Sequence, residues 1–547
     1  MSRSPAGADR PKRTKVKIRY PRDGGTALRG PVRVSGWALP SGSAPVARVE
    51  IVVDGRSAGR ARLGLSRRHV VETYAGAEAA VSGFEHLVPA ELLPEAGRIA
   101  DIRAVAELTD GSTVESQATK VQVEEPEPPF EDLSGRAAEL RERLADVARA
   151  FPPGRDRPEP GDVRVMAFTH DLELGGAQLY LLALLRGLDL RGGLSALLVS
   201  PRDGPLRVLS EAAGIPVHVT SDYGYAAGPD AYEGKLTELA ALARFHAANV
   251  VVANTLAAFG AVDLAGRLGL PSIWSIHESL EAPVWSPQAH YWPRAHRYAR
   301  ERLEGALESA SAVVFAAKAT SSQYEHLGAR SRFVTIPYGI DLSAVKEYRS
   351  GTDRADVRAS LGLPESATAV LCLGSLEKRK AQSTLARAFA LVAGGHPDAV
   401  LCLVGSRGDA YAVAVAEYIT RAGLEERIRV EPLSDTAHDW VVAADLLVCA
   451  SDIESLPFTI LEAMAFETPV LSTDVFGVPT MIEDGVTGYL CESRDVASLA
   501  RGLDRALSAP EERAGLARAA AERVRANHDI GRYLDDYTTL LRSVVPG

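Results

Sequence analysis

From about Val16 to Glu125 apolar residues recur at every second position: Ile102, Ala104, Ala106 and Leu108 alternate with Arg103, Val105 and Glu107. Successive side chains of an extended strand point to opposite faces, so this period predicts strands with one face on a core. Asp54-Gly55 and Asp110-Gly111 separate such runs and are hairpin-turn dipeptides. Short strands at this spacing predict a β-sandwich. The period then changes. Glu124 to Asp132 (Glu-Glu-Pro-Glu-Pro-Pro-Phe-Glu-Asp) is a stiff acidic linker, and Leu140, Leu144, Val147 and Phe151 follow at helical spacing. A second Pro-rich stretch, Pro152 to Gly161, marks the next boundary.

From Val163 onward short apolar runs alternate with amphipathic segments, which predicts parallel sheets covered by helices on both faces. Val163 to Thr169 is the first strand; Val251-Val-Ala-Asn-Thr, Pro271-Ser-Ile-Trp-Ser-Ile-His, Ala369-Val-Leu-Cys-Leu-Gly, Val400-Leu-Cys-Leu-Val-Gly and Ile428-Arg-Val-Glu-Pro-Leu read as others. Open parallel sheets bind ligands at the carboxyl ends of their strands, which singles out Asn254 and His277. Gly175-Gly176 opens a helix from Ala177 to Leu185, where backbone without a side chain lets a ligand approach closely. The pair lacks the Gly-x-Gly-x-x-Gly pattern, so a plain tight turn competes, and position alone makes Gly176 a candidate contact.

The stretch from Asp445 to Leu490 carries the densest candidate chemistry. Asp445 to Ala450 reads as a buried strand and Ser451 to Ser455 as a polar turn. A helix follows, with Pro457 at a first helical position and Phe458, Ile460, Leu461 and Met464 as its apolar face. Glu454 then lies in the loop and Glu462 in the helix. Backbone N–H groups at Ser455, Leu456 and Phe458 would favour an anion such as a diphosphate at the helix start. Lys380 and Arg379 follow a strand end and supply fixed cations that would stabilise a leaving diphosphate. Trp285, Tyr291 and Trp292 lie among Arg294, Arg297, Arg300 and Arg302, a combination that suits a sugar, a lipid-linked acceptor or a membrane interface as well as an ordinary packed loop.

A chain of 547 residues suits three or four domains. The balance of 61 basic against 71 acidic residues, a net charge of -10, argues against general nucleic-acid binding. Cys372, Cys402, Cys449 and Cys491 lie apart, the first three inside strand-like runs without zinc-ligand spacing, and read as reduced core thiols. No apolar run reaches the roughly 20 residues of a membrane span and the start lacks a signal-peptide core, so a cytoplasmic location is expected. The basic first residues, Arg10 to Lys17, read as a disordered tail and leave open a peripheral contact with the inner membrane face.

Several motifs carry a family resemblance. Ser451-Asp-Ile-Glu-Ser-Leu-Pro-Phe-Thr-Ile-Leu-Glu-Ala-Met-Ala, with Pro469-Val, Gly477-Val-Pro and Asp484-Gly-Val-Thr-Gly-Tyr-Leu, resembles the Glu-x7-Glu region of retaining glycosyltransferases of the GT-B fold, family 4. Gly374-Ser-Leu-Glu-Lys-Arg-Lys-Ala-Gln resembles that family's phosphate loop, and Ile336-Pro-Tyr-Gly-Ile-Asp its segment before the crossover. Ser35-Gly-Trp-Ala-Leu, Val53-Asp-Gly-Arg-Ser-Ala-Gly and Ser82-Gly-Phe resemble an immunoglobulin-like module attached to bacterial surface-polysaccharide enzymes. The sequence departs from the family at Ser375, where Arg is common, at Ala381 and Glu467, where Gly is common, and at Thr480, where Glu is common. Arg379 is the candidate replacement for the missing Arg.

The resemblance implies an α/β protein of two Rossmann-like domains facing a cleft, preceded by a small all-β sandwich. The expected division is a tail at 1–15, a sandwich at 16–125, a linker with one helix at 126–161, an acceptor domain at 162–350, a donor domain at 351–528 and a crossover helix at 529–547. It implies a retaining, hexosyltransferase-type enzyme that moves a sugar from a UDP- or GDP-linked donor to a hydroxyl on a carbohydrate or lipid-linked acceptor. Lys380 and Arg379, with the helix start at Ser455 and Leu456, would hold the diphosphate. Glu454 would orient the sugar, Glu462 would hold the ribose and His277 would contact the sugar from the other domain. The sequence contains no Asp-x-Asp, so no metal and no cofactor are expected, and oligomerisation through the sandwich is open. Two alternatives stand beside this reading, an inactive carbohydrate-binding or scaffolding protein and a nucleotide-sugar epimerase.

Overall fold

A computed structural model describes residues 13–124, 163–281 and 297–545, apart from short gaps at 29–31, 43, 75–76, 174, 192–193, 221–227, 328–331 and 435. The N-terminal tail to residue 12, the linker helix expected around Leu140 to Phe151, and Trp285, Tyr291, Trp292 and Arg294 lie outside the described residues. The chain divides into two compact units: Met1–Glu127 with Ile340–Asn527, and Pro128–Gly339 with His528–Gly547. It passes between them at Gly339 and Ile340, ahead of the boundary near 350 that the sequence suggested.

In the first unit the N-terminal segment forms two sheets. One orders Lys15–Tyr20, Val32–Leu39, Gly83–Val88 and Arg62–Leu65; the other orders Gly25–Leu28, Thr119–Glu124, Ile99–Leu108, Val46–Val53 and Arg56–Arg60. The period of two explains their burial: Ala100, Ile102, Ala104, Ala106 and Leu108 point inward along one strand and meet Val34 and Phe84 of the facing sheet in a shared core. Asp54 and Gly55, with φ of 48° and 79°, make the left-handed turn that a two-residue hairpin requires.

The remainder of the first unit is a parallel sheet in the order Ile428–Pro432, Ala399–Ser406, Thr368–Leu373, Leu446–Cys449, Val470–Thr473 and Tyr489–Cys491. Its strands are continuous apolar runs because helices cover both faces. All four cysteines lie in or at the ends of these strands, buried as free thiols. The β segment and this α/β segment are joined by one hydrophobic core, in which Val34, Ile51 and Phe84 belong to the same cluster as Leu385, Phe389, Leu403 and Val448.

The second unit has a seven-stranded parallel sheet in the order Val217–Val219, Leu194–Ser200, Val163–Phe168, Val250–Asn254, Ser272–Ile276, Ala312–Phe315 and Phe333–Thr335. The final helix, Ile530–Val544, packs within this unit: the Tyr533 ring lies tilted against Tyr180 with centroids 5.2 Å apart, and Leu534 lies where any side chain at Gly187 would collide with it. Among the described residues no helix is long and apolar enough to cross a membrane.

Candidate functional site

Two loops at the carboxyl edge of the first unit's parallel sheet build the main site. The strand Thr368–Leu373 ends at Gly374, whose carbonyl oxygen lies 2.4 Å from where a Cβ on Gly405 would stand. Glycine at 405, with φ of +123°, is therefore what lets the loop pass the neighbouring strand end. Gln382 fixes the loop behind Gly374: its Nε2 donates to the carbonyl of Ser375 at 3.0 Å and its Oε1 accepts from the N–H of Glu377 at 3.3 Å. A single turn, Lys378–Lys380, then presents three basic residues in a row before Ala381 turns the chain into the helix Gln382–Val392.

The second loop follows the strand Leu446–Cys449. The N–H of Asp452 donates to the carbonyl of Arg379 at 2.7 Å and ties the two loops together, and Thr473 donates to the carbonyl of Ser451 at 2.5 Å from the adjacent strand. The helix begins at Phe458 rather than at Pro457, which stays extended with ψ of 119° and serves as the cap. Glu462 consequently lies a full turn inside the helix and Glu454 ahead of it. The first N–H groups of such a helix have no intrahelical acceptor, so Ser455 and Leu456 lead into an anion-favouring end.

The structure brings Glu454, Lys380 and Arg379 together. The Lys380 ammonium donates to Oε1 of Glu454, Ser451 Oγ donates to the same oxygen at 2.8 Å, and the Arg379 guanidinium lies 3.7 Å away. Glu454 is buried, whereas Lys380 and Arg379 keep partial exposure. Burial alone would push the Glu454 carboxyl up; Lys380, Arg379 and the Ser451 hydroxyl overcome it and hold the group below the ordinary carboxylate range. The cluster thus presents two cations, held by a carboxylate that stays ionised. Arg379 also pairs with Glu377 at 2.8 Å.

Glu462 has a partner that sequence reasoning missed. His438 Nε2 lies 3.3 Å from its Oε1, and hydrogen bonding and charge from Glu462 raise the imidazole above its ordinary value. Ser451 and Asp452 stood inside the quoted motif without a role, although hydroxyl and carboxylate groups in a strand-end loop are a readable signal. The clustering of Arg62, from the β segment, with Asp452 had no local signal at all, because 390 residues separate them.

In the second unit His277 stands at the end of Ser272–Ile276 and Asn254 at the end of Val250–Asn254. Asn254 Nδ2 donates to the carbonyl of Ala177 at 2.9 Å, which turns its Oδ1 toward His277 Nε2 at 2.6 Å. His277 Nε2 therefore carries the proton and Nδ1 accepts from the Tyr338 hydroxyl at 2.5 Å. Burial, with His170 nearby, pushes the His277 pKa down to about 3, so the ring is neutral at physiological pH. Both ring nitrogens are committed inside this unit. Gly176 is the first residue of the helix Gly176–Asp189 and is exposed, and a Cβ there would meet nothing; at Gly175 a Cβ would lie 2.4 Å from Gln178 Oε1, the movable end of that side chain. Farther along, the helix Arg297–Ser309 places the Arg302 guanidinium over the Tyr298 ring at 5.5 Å.

Residues 174–344 match the family described as Glycosyltransferase Family 4, and residues 353–523 match Glycosyl transferases group 1. The chain is 35% identical over 203 residues to a D-inositol 3-phosphate glycosyltransferase of Streptomyces griseus, covering 35% of this chain and 42% of that protein. It is 32% identical over 223 residues to the corresponding protein of Thermomonospora curvata, covering 38% and 51%. The matched stretch thus spans about half or less of these curated relatives. Among solved structures, the Anabaena protein Alr3699/HepE in complex with UDP-glucose aligns over 70% of this chain and 99% of its own with a TM-score of 0.60 at 24% identity. WaaG, a glycosyltransferase involved in lipopolysaccharide biosynthesis, aligns over 70% and 100% with a TM-score of 0.55 at 16% identity. These likenesses establish the two-domain α/β GT-B fold.

Proposed function

From a chain that carries a family 4 glycosyltransferase domain followed by a group 1 glycosyltransferase domain, we propose a retaining transferase that moves a hexose from a nucleotide diphosphate sugar to a hydroxyl acceptor. The observation that carries this reading is the cluster of Lys380 and Arg379 around buried, ionised Glu454, beside the start of the helix Phe458–Ala465. As the bond from the sugar's anomeric carbon to the diphosphate oxygen breaks, negative charge grows on that oxygen. Fixed cations beside it lower the barrier because they need no reorganisation. The acceptor hydroxyl forms the new bond on the same face, and its proton passes to the departing phosphate oxygen. Glu454 holds the cations in place and accepts hydrogen bonds from the sugar; Glu462 holds the ribose diol. The two cations fill the charge-neutralising role that a divalent ion takes elsewhere, so the reaction is read as metal-independent.

The fold neighbour with bound UDP-glucose makes a UDP-sugar the first donor to test. The two-sheet N-terminal segment is read as the immunoglobulin-like module, and the acceptor as a carbohydrate or lipid-linked hydroxyl of surface polysaccharide or glycolipid synthesis. The test is a screen of UDP- and GDP-sugars by thermal shift and slow hydrolysis, with and without EDTA, on wild type and Glu454→Ala. One donor that stabilises the protein, and that only wild type hydrolyses, with EDTA making no difference, is the expected result. Failure of every donor to bind would overturn the reading, and binding without turnover on any acceptor would favour a scaffold.

A further inference from the structure

The β segment contacts the α/β segment of the first unit at the loops that form the candidate site. Arg62, in the strand Arg62–Leu65, is buried and its Nε donates to Oδ2 of Asp452 at 2.6 Å. Asp452 is also buried and is two residues from Glu454; its own N–H holds the carbonyl of Arg379. Arg494 lies 3.6 Å from the same carboxylate oxygen. On the next strand Glu85 accepts from Arg62 at 3.2 Å and from Arg33. Burial would raise the Glu85 carboxyl, but Lys378 of the basic turn, with Arg33 and Arg62, keeps it low, so the turn's charge is felt inside the β segment. One strand residue further, Gly64 sits at φ of +81° with Ser383 Oγ 1.9 Å from where its Cβ would be, so the β strand presses on the first turn of the helix behind Lys380.

We propose that the β segment is a working part of the donor site, with Arg62 as a positioning residue that holds Asp452 and, through it, sets the loop carrying Glu454 against the turn carrying Arg379 and Lys380. The inference rests on the donor reading above and adds to it a residue outside both matched glycosyltransferase domains. The chain of contacts is short: guanidinium to Asp452 carboxylate, Asp452 N–H to Arg379 carbonyl, and Arg379 and Lys380 to Glu454. Arginine suits the task because its planar fork fixes direction as well as charge. A shift of about 1 Å in a catalytic group is enough to lower turnover by roughly a hundredfold.

The test compares Arg62→Gln with Arg387→Gln in the full chain. Arg387 is an equally buried residue joining the same two segments, pairing with Glu78 at 2.7 Å and donating to the carbonyl of Val46, and among the described residues its hydrogen bonds reach neither site loop. Donor kcat and KM are measured per folded molecule, with hydrogen exchange of residues 451–456 read in parallel. The expected result is a fall in kcat of at least tenfold and exchange at least tenfold faster in Arg62→Gln, partial recovery of both in Arg62→Lys, and neither change in Arg387→Gln despite a lower Tm. Equal effects in the two glutamine variants, or wild-type kcat and exchange in Arg62→Gln, would overturn the proposal. If Arg62→Gln does not fold, Arg62→Lys carries the test alone, and wild-type kcat and exchange there would overturn it. A wild-type protein that binds no nucleotide sugar would sink the donor reading, while the exchange comparison would still decide whether Arg62 holds the loop.

Discussion

At the scale of single residues, Lys380 and Glu462 are separated in role by where they sit. Lys380 is bonded to a buried carboxylate where the proposed reaction would build leaving-group charge, so Lys380→Ala is expected to lower kcat by roughly a hundredfold or more with a small change in donor KM. On the proposed reading Glu462 holds the donor equally in ground and transition states, and Glu462→Ala is expected to raise donor KM about tenfold, the worth of about one hydrogen bond to a charged group, with kcat nearly unchanged. Steady-state kinetics on both variants check the split; unchanged constants in both would defeat the assignment. His438 supplies a pH signature. Its pairing with Glu462 raises its pKa above the ordinary 6.5, so the stabilisation is fully present below that pH and is lost as pH rises through the raised value. The ring is 46% exposed, so solvent screening keeps the effect below about 1 kcal/mol. The Tm difference between wild type and His438→Gln is expected to be largest in mild acid and to vanish in alkali; a difference that grows with pH would contradict the pairing. The candidates Lys380, Arg379 and Glu454 were legible from the chain, whereas the part of Ser451 in holding Glu454 was not. Residues that meet across hundreds of positions, such as Arg62 and Asp452, were not legible either, because a side chain's partner is set by the fold and not by its sequence neighbours.

At the scale of elements, apolar runs and strand-end turns placed seven of the thirteen parallel strands among the described residues within a residue or two, because a buried strand must be apolar throughout and must leave the sheet through polar residues. The pattern missed the others, among them the short strands Val217–Val219, Phe333–Thr335 and Tyr489–Cys491, and it missed the helix start at Phe458 by one residue. The two places where glycine is common in the family and absent here also find their explanation. Ala381 has φ of 54° and Glu467 φ of 59°, both in the left-handed region where a Cβ is strained. Ala381→Gly is expected to stabilise the first unit by about 1 kcal/mol or less, the relief of strain being partly offset by a freer unfolded chain. Glu467→Gly is expected to gain less or lose, because the Glu467 carboxylate pairs with Arg349 and Arg525, each at 3.1 Å. Chemical denaturation of the two variants decides it: a destabilised Ala381→Gly would mean that the left-handed turn is not under strain.

At the scale of the molecule, the sequence suggested a β module on a linker, and the fold instead merges it into one core with the 340–527 segment. Phe84 and Ile51 belong to the same buried cluster as Leu385 and Phe389, and ion pairs cross between the segments, among them Arg62 with Asp452, Arg387 with Glu78, Arg48 with Asp495 and Arg60 with Glu492. Composition could not reveal this, since an apolar strand face reads the same whether it meets its own sheet or a helix distant in sequence. The consequence is cooperative. Parting the segments would return their shared apolar surface to water, at about 25 cal/mol for each Å² exposed, and that term dominates because the paired charges would be rehydrated. With a protease site introduced into the Pro-rich stretch between residues 152 and 161, cleavage is expected to leave the two fragments associated through gel filtration and to separate them only in denaturant. Their melting is expected to follow a single transition for the β segment and the 340–527 segment together. Fragments that elute apart in native buffer, each still folded, would show that the β segment is a detachable module and would remove the structural basis for its part in the donor site.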